Sequence, residues 1–142
     1  MDFTAIYARI DALRDELARH RPLTQGELER LREDFVINFT YNSNAIEGNT
    51  MTLDETAVVI REGITVGGKS IREHLEIVGH RDAYLYVEEL VREKAELGES
   101  LIKNIHTLVL ADRKEDCGVY RRLPVIITGS PAELPQPWEV PV

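Results

Sequence analysis

The sequence predicts an all-α protein with one short β element near its C-terminus, and three observations support this fold class. Apolar residues recur at spacings of three and four along most of the chain, as they do in amphipathic helices. Three Thr/Ser-x-x-Glu sequences have the pattern of the capping box that begins a helix. Five of the six prolines lie between Pro124 and Pro141, where they exclude a helix interior.

Two helices are predicted in the first forty residues. An apolar stripe predicts the first helix, and it consists of Phe3, Ile6, Ile10, Leu13 and Leu17. Pro22 ends this helix, and Thr24 with Glu27 forms a capping box that begins the second one. The second helix is predicted to bury a face that consists of Leu28, Leu31, Phe35 and Phe39.

Two further capping boxes predict the central helices. Thr52 with Glu55 begins a short helix, and Ser70 with Glu73 begins a long one. The apolar positions of the long helix are Ile71, Leu75, Val78 and Leu85. We expect it to continue towards Gly98, because glycine commonly follows the last turn of a helix.

The chain after Gly98 changes character. Ser100 is expected to cap a last helix, whose apolar positions are Leu101, Ile105, Leu108 and Val109. Residues 125–127 are a β-branched apolar run, and residues 128–131 (TGSP) are typical of a turn. These residues predict a short strand, and the proline-rich tail after it has neither helical nor strand periodicity.

Composition limits the classes of function. The chain has 142 residues, a net charge of −8 and a pI near 5.0, so it offers no basic stripe for nucleic acid. Its apolar runs are too short to cross a membrane, and its N-terminus lacks the pattern of a signal peptide. Cys117 is the one cysteine, which suits a reducing compartment. We therefore expect a cytoplasmic protein.

Residues 63–70 (GITVGGKS) satisfy the pattern of a phosphate-binding P-loop. In that chemistry Lys69 would contact the outer phosphates and Ser70 would contact magnesium. A P-loop follows a buried strand, however, and the capping box at Thr52 predicts a helix there instead. A glycine-rich turn between two helices is therefore the favoured interpretation, and a P-loop fragment stays open as an alternative.

Residues 43–49 (SNAIEGN) form a polar segment after an apolar helix. An ordinary helix end closed by Gly48 would explain its composition. Ser43 and Glu47 are four residues apart, however, so they share one face if the segment is helical. Gly48 also allows the backbone beside Glu47 to approach another group closely.

This segment resembles the inhibitory helix motif, Ser/Thr-x-x-x-Glu-Gly/Asn, of Fic-domain proteins. The resemblance continues with residues 52–56 (TLDET) and 76–80 (EIVGH), followed by residues 118–121 (GVYR). Residues 125–130 (VIITGS) resemble the flap of the family, and the similarity covers about residues 35–142. The fold that it implies is a Fic-type helical bundle with a short β-hairpin flap near the C-terminus.

The catalytic signature of the family, H-x-F-x-D/E-G-N-G-R-x-x-R, does not occur in the 142 residues. We therefore expect the chain to be the N-terminal portion of a Fic protein, with no catalytic residue, no metal ligand and no activity of its own. The expected organisation is one incomplete domain: N-terminal helices in residues 1–40, the inhibitory segment and next helix in 41–62, core helices in 63–118, and the flap with its tail in 119–142.

The resemblance implies a protein adenylyltransferase, which transfers AMP from ATP, with Mg²⁺, to a Ser, Thr or Tyr hydroxyl of a target protein. Glu47 would inhibit by pairing with an arginine of the absent signature, and Ser43, Gly48 and Asn49 would complete the inhibitory motif. The flap would contact nucleotide and target through Ile127, Thr128, Gly129 and Ser130. A homodimer is also expected. A non-catalytic helical interaction module, similar to an antitoxin, stays open as the second alternative.

Overall fold

The computed structural model describes residues 3–113 and 115–140, and within them the prediction of an all-α protein is confirmed. The helices are α1 (Phe3–Arg19), α2 (Gln25–Ile46), α3 (Leu53–Glu62), α4 (Ile71–Glu93), α5 (Glu99–Val109) and a short 3-10 helix (Pro137–Glu139). The chain divides into two compact units, with the boundary between Phe35 and Val36. The outer ends of the first and last predicted segments, residues 1–2 and 141–142, lie outside the described residues. No described helix is both long enough and apolar enough to cross a lipid bilayer.

All three predicted capping boxes form. In the first, the Thr24 backbone N–H donates to the Glu27 carboxylate at 2.8 Å, and the Glu27 N–H donates to the Thr24 hydroxyl at 3.3 Å. These reciprocal bonds satisfy two backbone donors that a helix start would otherwise leave unpaired. The same pair of bonds joins Thr52 to Glu55 and Ser70 to Glu73.

The predicted buried face of α2 is wrong. Leu28, Leu31 and Phe35 are about half exposed, and Phe39 is 43% exposed. The positions that are buried follow the same helical spacing on another face, and they are Val36, Ile37, Thr40 and Asn44. The largest apolar side chains therefore do not mark the core-facing side of this helix. The stripe of α1 is similarly exposed, because no residue of α1 is buried.

The core of the second unit lies between α3 and α4. Met51, Val59 and Ile77 form a buried cluster, and the partly buried Ile60, Val66 and Val78 pack against it. Burial of aliphatic side chains such as these stabilises the folded chain by about 1.5–3 kcal/mol each. The cluster fixes α3 on one face of α4.

Gly79 allows α5 to pack directly on α4. A Cβ atom at Gly79 would lie 2.4 Å from the Leu108 carbonyl oxygen and 3.3 Å from the Val109 carbonyl oxygen. Both carbonyls belong to the last turn of α5, so the obstacle is backbone and cannot rotate away. The bare Cα of a glycine is therefore what this helix crossing requires.

The ends of the last two helices differ from the prediction. The helix α4 ends at Glu93 rather than near Gly98, because Lys94 adopts a left-handed conformation with φ of 55°. Gly98 instead precedes the first turn of α5, which begins at Glu99, and Ser100 is not its cap. Local capping rules predicted both helices correctly, but the predicted ends differ from the observed ends by a few residues.

The strand and hairpin predicted at residues 125–130 are also wrong. No strand occurs in the described residues, and the segment is an extended piece closed by a turn. In that turn the Ser130 N–H donates to the Ile127 carbonyl at 3.0 Å, and Gly129 has a φ of 81°. A strand requires a neighbouring strand for its backbone hydrogen bonds, and the described chain provides none.

Glu73 joins the start of α4 to the segment before α3. One carboxylate oxygen accepts the Ser70 N–H and hydroxyl, each at 2.9 Å. The other accepts the Thr50 N–H at 3.0 Å and the Thr50 hydroxyl at 2.5 Å. These hydrogen bonds, with that of the Thr50 hydroxyl foremost, lower the pKa of Glu73 to about 2.

We expect Gly79→Ala to destabilise the second unit, because the new methyl group meets two carbonyl oxygens of α5. Overpacking of this kind costs about 1–3 kcal/mol, which urea unfolding followed by circular dichroism can measure. Gly26→Ala is the matched control, since no atom lies within 4 Å of a Cβ at that helical glycine. Equal losses of stability in the two variants would contradict the close helix crossing.

We expect Glu73 to make stability depend on pH in the acid range. Its pKa is about 2 in the folded chain, below the ordinary value of 4.5, so its contribution is present above pH 4.5 and is lost as pH falls towards 2. The urea midpoint of wild type should therefore exceed that of Glu73→Gln at pH 6, and the difference should shrink by pH 2.5. A difference that stays constant across this range would contradict the assignment.

Candidate functional site

The candidate site lies at the C-terminal end of α2. Beyond Ile46, the Gly48 N–H donates to the Ala45 carbonyl at 3.1 Å, and the Asn49 N–H donates to the Asn44 carbonyl at 3.0 Å. Gly48 has a φ of 93°, in the left-handed region. This pair of bonds with a left-handed glycine is the Schellman motif, which ends helices and reverses the chain.

The motif presents Glu47 to solvent. Ser43, one turn earlier, is half-buried, whereas Glu47 is exposed and stands at the cap position of the helix. A carboxylate there faces the negative end of the helix dipole and gains nothing from it. Among the described residues no cation pairs with Glu47, so its carboxylate is available to an incoming positive group.

Asn49 fixes the chain just after this carboxylate. Its side-chain amide donates to the Glu73 carbonyl at 3.1 Å and to the Glu76 carboxylate at 3.0 Å. Its side-chain oxygen accepts the Met51 N–H at 3.0 Å. Asn49 thus attaches the end of the predicted site segment, residues 43–49, to α4.

Buried polar residues support the other face of α2. The Asn44 side chain donates to the Thr40 carbonyl at 2.9 Å, and the Thr40 hydroxyl lies 3.1 Å from Nδ1 of His80. The Phe39 ring meets the His80 ring edge-on, with centroids 5.0 Å apart. Burial lowers the pKa of His80, which favours its neutral form. Sequence reasoning missed the buried Thr40 and Asn44, and the contact of Thr40 with His80 spans forty residues of the chain.

The P-loop alternative does not fit the geometry of residues 63–70. Helix α3 precedes them, not a strand, and Gly63 closes that helix with a φ of 67°. The Lys69 ammonium donates to the Thr50 carbonyl at 2.6 Å and lies 3.3 Å from the Glu55 carboxylate. Ser70 caps α4. These residues serve as a structural connection, and Lys69 is already occupied.

The predicted flap residues, Ile127 to Ser130, are all exposed. No hydrogen bond or ion pair of the described chain joins them to residues 43–49. Nearby, α5 and residues 115–125 line a groove of about 800 Å³ with both apolar and charged side chains. Across it, the Lys103 ammonium lies 4.7 Å from the centre of the Tyr120 ring.

The residues that the structure describes include no group of three or more His, Cys, Asp or Glu side chains placed to hold a metal ion. The side chains of His74 and His106 are hydrogen-bonded within the chain. In His74, Nε2 accepts the Val66 N–H at 2.9 Å while Nδ1 lies 2.7 Å from the Ser70 carbonyl, so Nδ1 carries the proton. In His106, Nδ1 accepts the Gly118 N–H at 3.1 Å.

Comparison with known proteins gives a consistent result, although no protein-family model matches the chain. It is 34% identical to a protein adenylyltransferase Fic of Nematostella vectensis over 133 residues, which are 92% of this chain and 31% of that protein. A protein of the same name from Culex quinquefasciatus is 36% identical over 126 residues, 87% of this chain and 25% of that protein. The chain thus spans between a quarter and a third of these curated relatives.

Solved structures agree. A Fic-domain-containing signalling protein of Bacteroides thetaiotaomicron superposes with a TM-score of 0.73 at 29% identity, over 84% of this chain and 47% of that one. Fic-1 of C. elegans gives a TM-score of 0.67 at 30% identity, over 84% of this chain and 37% of that one. Since sequence and fold similarity cover most of the chain and point to the same proteins, the chain belongs to the Fic family.

Proposed function

We propose that the protein is an adenylyltransferase that transfers AMP from ATP to a hydroxyl group of a target protein, and that Glu47 restrains this activity. The relatives are named protein adenylyltransferases, which supports the reaction class. The observation that supports the regulatory role is the exposed carboxylate of Glu47, at a helix end where no cation of the described chain pairs with it.

Inhibition would use the chemistry that arginine shares between carboxylates and phosphates. The planar guanidinium group binds either partner through two parallel hydrogen bonds. An arginine of the catalytic signature that pairs with Glu47 cannot at the same time bind the γ-phosphate of ATP. Glu47 would therefore compete with the nucleotide for one cation, and Ser43 would help to position the helix end.

The remaining parts of the active site are proposed to lie in the catalytic signature, which the 142 residues do not contain. ATP would be the nucleotide substrate, and magnesium would neutralise its phosphates when bound. In this chain, residues 127–130 would contact nucleotide and target. The chain by itself is proposed to be inactive. The expected cytoplasmic location and homodimer stay predictions.

We expect Glu47→Gly to raise auto-AMPylation in a form of the protein that includes the catalytic signature. Loss of one member of a hydrogen-bonded charge pair changes the interaction by about 2–5 kcal/mol, and the lower figure alone corresponds to about thirtyfold in the competent population. We therefore expect an increase of about tenfold or more, measured as labelled AMP incorporated per mole of enzyme at saturating ATP. Ser43→Ala should raise it less.

Glu62→Gly is a matched control. Glu62 is an exposed glutamate at the end of α3, and like Glu47 it precedes a left-handed glycine. The control removes the same side chain from an equivalent helix end that lies outside the inhibitory motif, so its incorporation should equal that of wild type. Equal incorporation by wild type and folded Glu47→Gly would show that Glu47 is an ordinary helix-end residue.

A further inference from the structure

We infer that two carboxylates of α4, Glu73 and Glu76, together with Asn49, are positioning residues for the inhibitory carboxylate of Glu47. This inference rests on the proposed function and extends it to regulation. The evidence is a continuous set of hydrogen bonds that attaches the end of α2 to the first turns of α4. We call residues 49–50 and their α4 partners the tether.

Both polar groups of the Asn49 side chain and its backbone N–H are hydrogen-bonded. Its backbone N–H closes the Schellman motif of α2, its side-chain oxygen accepts the Met51 N–H, and its amide donates to both Glu73 and Glu76. A partly buried side chain with every group paired has a single favoured rotamer. Only Gly48 separates Asn49 from Glu47, so a fixed Asn49 restricts where Glu47 can point.

Thr50 is held at each of its polar groups. The Glu73 carboxylate accepts its N–H and its hydroxyl, and the Lys69 ammonium donates to its carbonyl. Lys69 is itself paired with Glu55 of α3, and its side chain is only 17% exposed. Asn49 and Thr50 are thus hydrogen-bonded to α4, and Thr50 is also connected to α3 through Lys69.

The α4 end of the tether is also rigid. The Glu76 carboxylate accepts the Arg72 side chain at 2.8 Å with one oxygen and Asn49 with the other. Arg72 lies 3.5 Å from the Asp112 carboxylate just beyond α5. Glu76 is held on both oxygens, so it cannot swing away from Asn49 without losing another contact. Such a tether favours one position of the α2 end, and loosening it should release Glu47 from its inhibitory position.

The first test measures the tether in the 142-residue chain by amide hydrogen exchange. In Asn49→Asp, a carboxylate replaces the donating amide opposite Glu76 and the Glu73 carbonyl. We expect exchange of the Glu47, Gly48 and Asn49 amides to accelerate by about tenfold or more. The matched control is Asn42→Asp, which makes the same change on α2 where the amide donates only within the helix, to the Asn38 carbonyl at 2.7 Å. It should leave those three rates nearly unchanged.

Two further variants keep this test decisive. Asn49→Ala removes the donor without adding charge, so it reports on the tether even if Asn49→Asp does not fold. The double variant Asn49→Asp with Glu76→Gln reverses donor and acceptor, because the glutamine amide can donate to the aspartate. We expect it to slow exchange back towards the wild-type rates. Rates in folded Asn49→Ala that match wild type would overturn the tether.

The second test measures auto-AMPylation in the form with the catalytic signature. We expect Asn49→Ala to raise incorporation by about fivefold, and the double variant with Glu47→Gly to equal Glu47→Gly alone, because the tether acts through Glu47. An additive effect would overturn this coupling. If Glu47→Gly has no effect, the proposed inhibition fails, while the exchange rates still decide whether the tether exists.

Discussion

Three other helices contact α4, and one of these contacts, with α5, requires a residue without a side chain at position 79. At Gly79 the backbone of α4 touches the terminal carbonyls of α5. Two residues before it, Ile77 packs into the cluster with α3, and one residue after it, His80 faces α2 through Thr40. Successive residues of a helix point about 100° apart, so positions 77, 79 and 80 point in different directions around the axis of α4 and reach three neighbours. The second unit is organised around this short stretch.

Polar residues define much of the α2 contact, and this explains where sequence reasoning failed. Thr40 and Asn44 are buried with their hydrogen bonds satisfied, whereas Phe39 lies at the edge of the same contact with its ring against His80. A search for the largest apolar side chains selects the stripe beside the true contact face. Satisfied polar groups can be buried at little cost, and their partners are not visible in a linear sequence.

The parts that sequence predicted well are those whose causes are local. The three capping boxes each need only residues three apart, and all three form. The second role of Glu73, towards Thr50, spans more than twenty residues and required the fold. The strand predicted at residues 125–127 does not form, because its cause is not local. Its β propensity is real, but a strand depends on a neighbour and not on its own sequence. The polar segment at residues 43–49 was singled out by the order of its residues alone, and its role stays a prediction.

The left-handed conformation of Gly48 gives a physical meaning to the last position of the proposed inhibitory motif. That position accepts Gly or Asn, and these are the two residue types that most readily adopt positive φ at a helix end. In this motif Glu47 provides the charged group, whereas Gly48 provides only a backbone conformation. Gly48 sets the direction in which the chain turns after the helix. A substitution of Gly48 would therefore change the orientation of the Glu47 carboxylate without changing its charge.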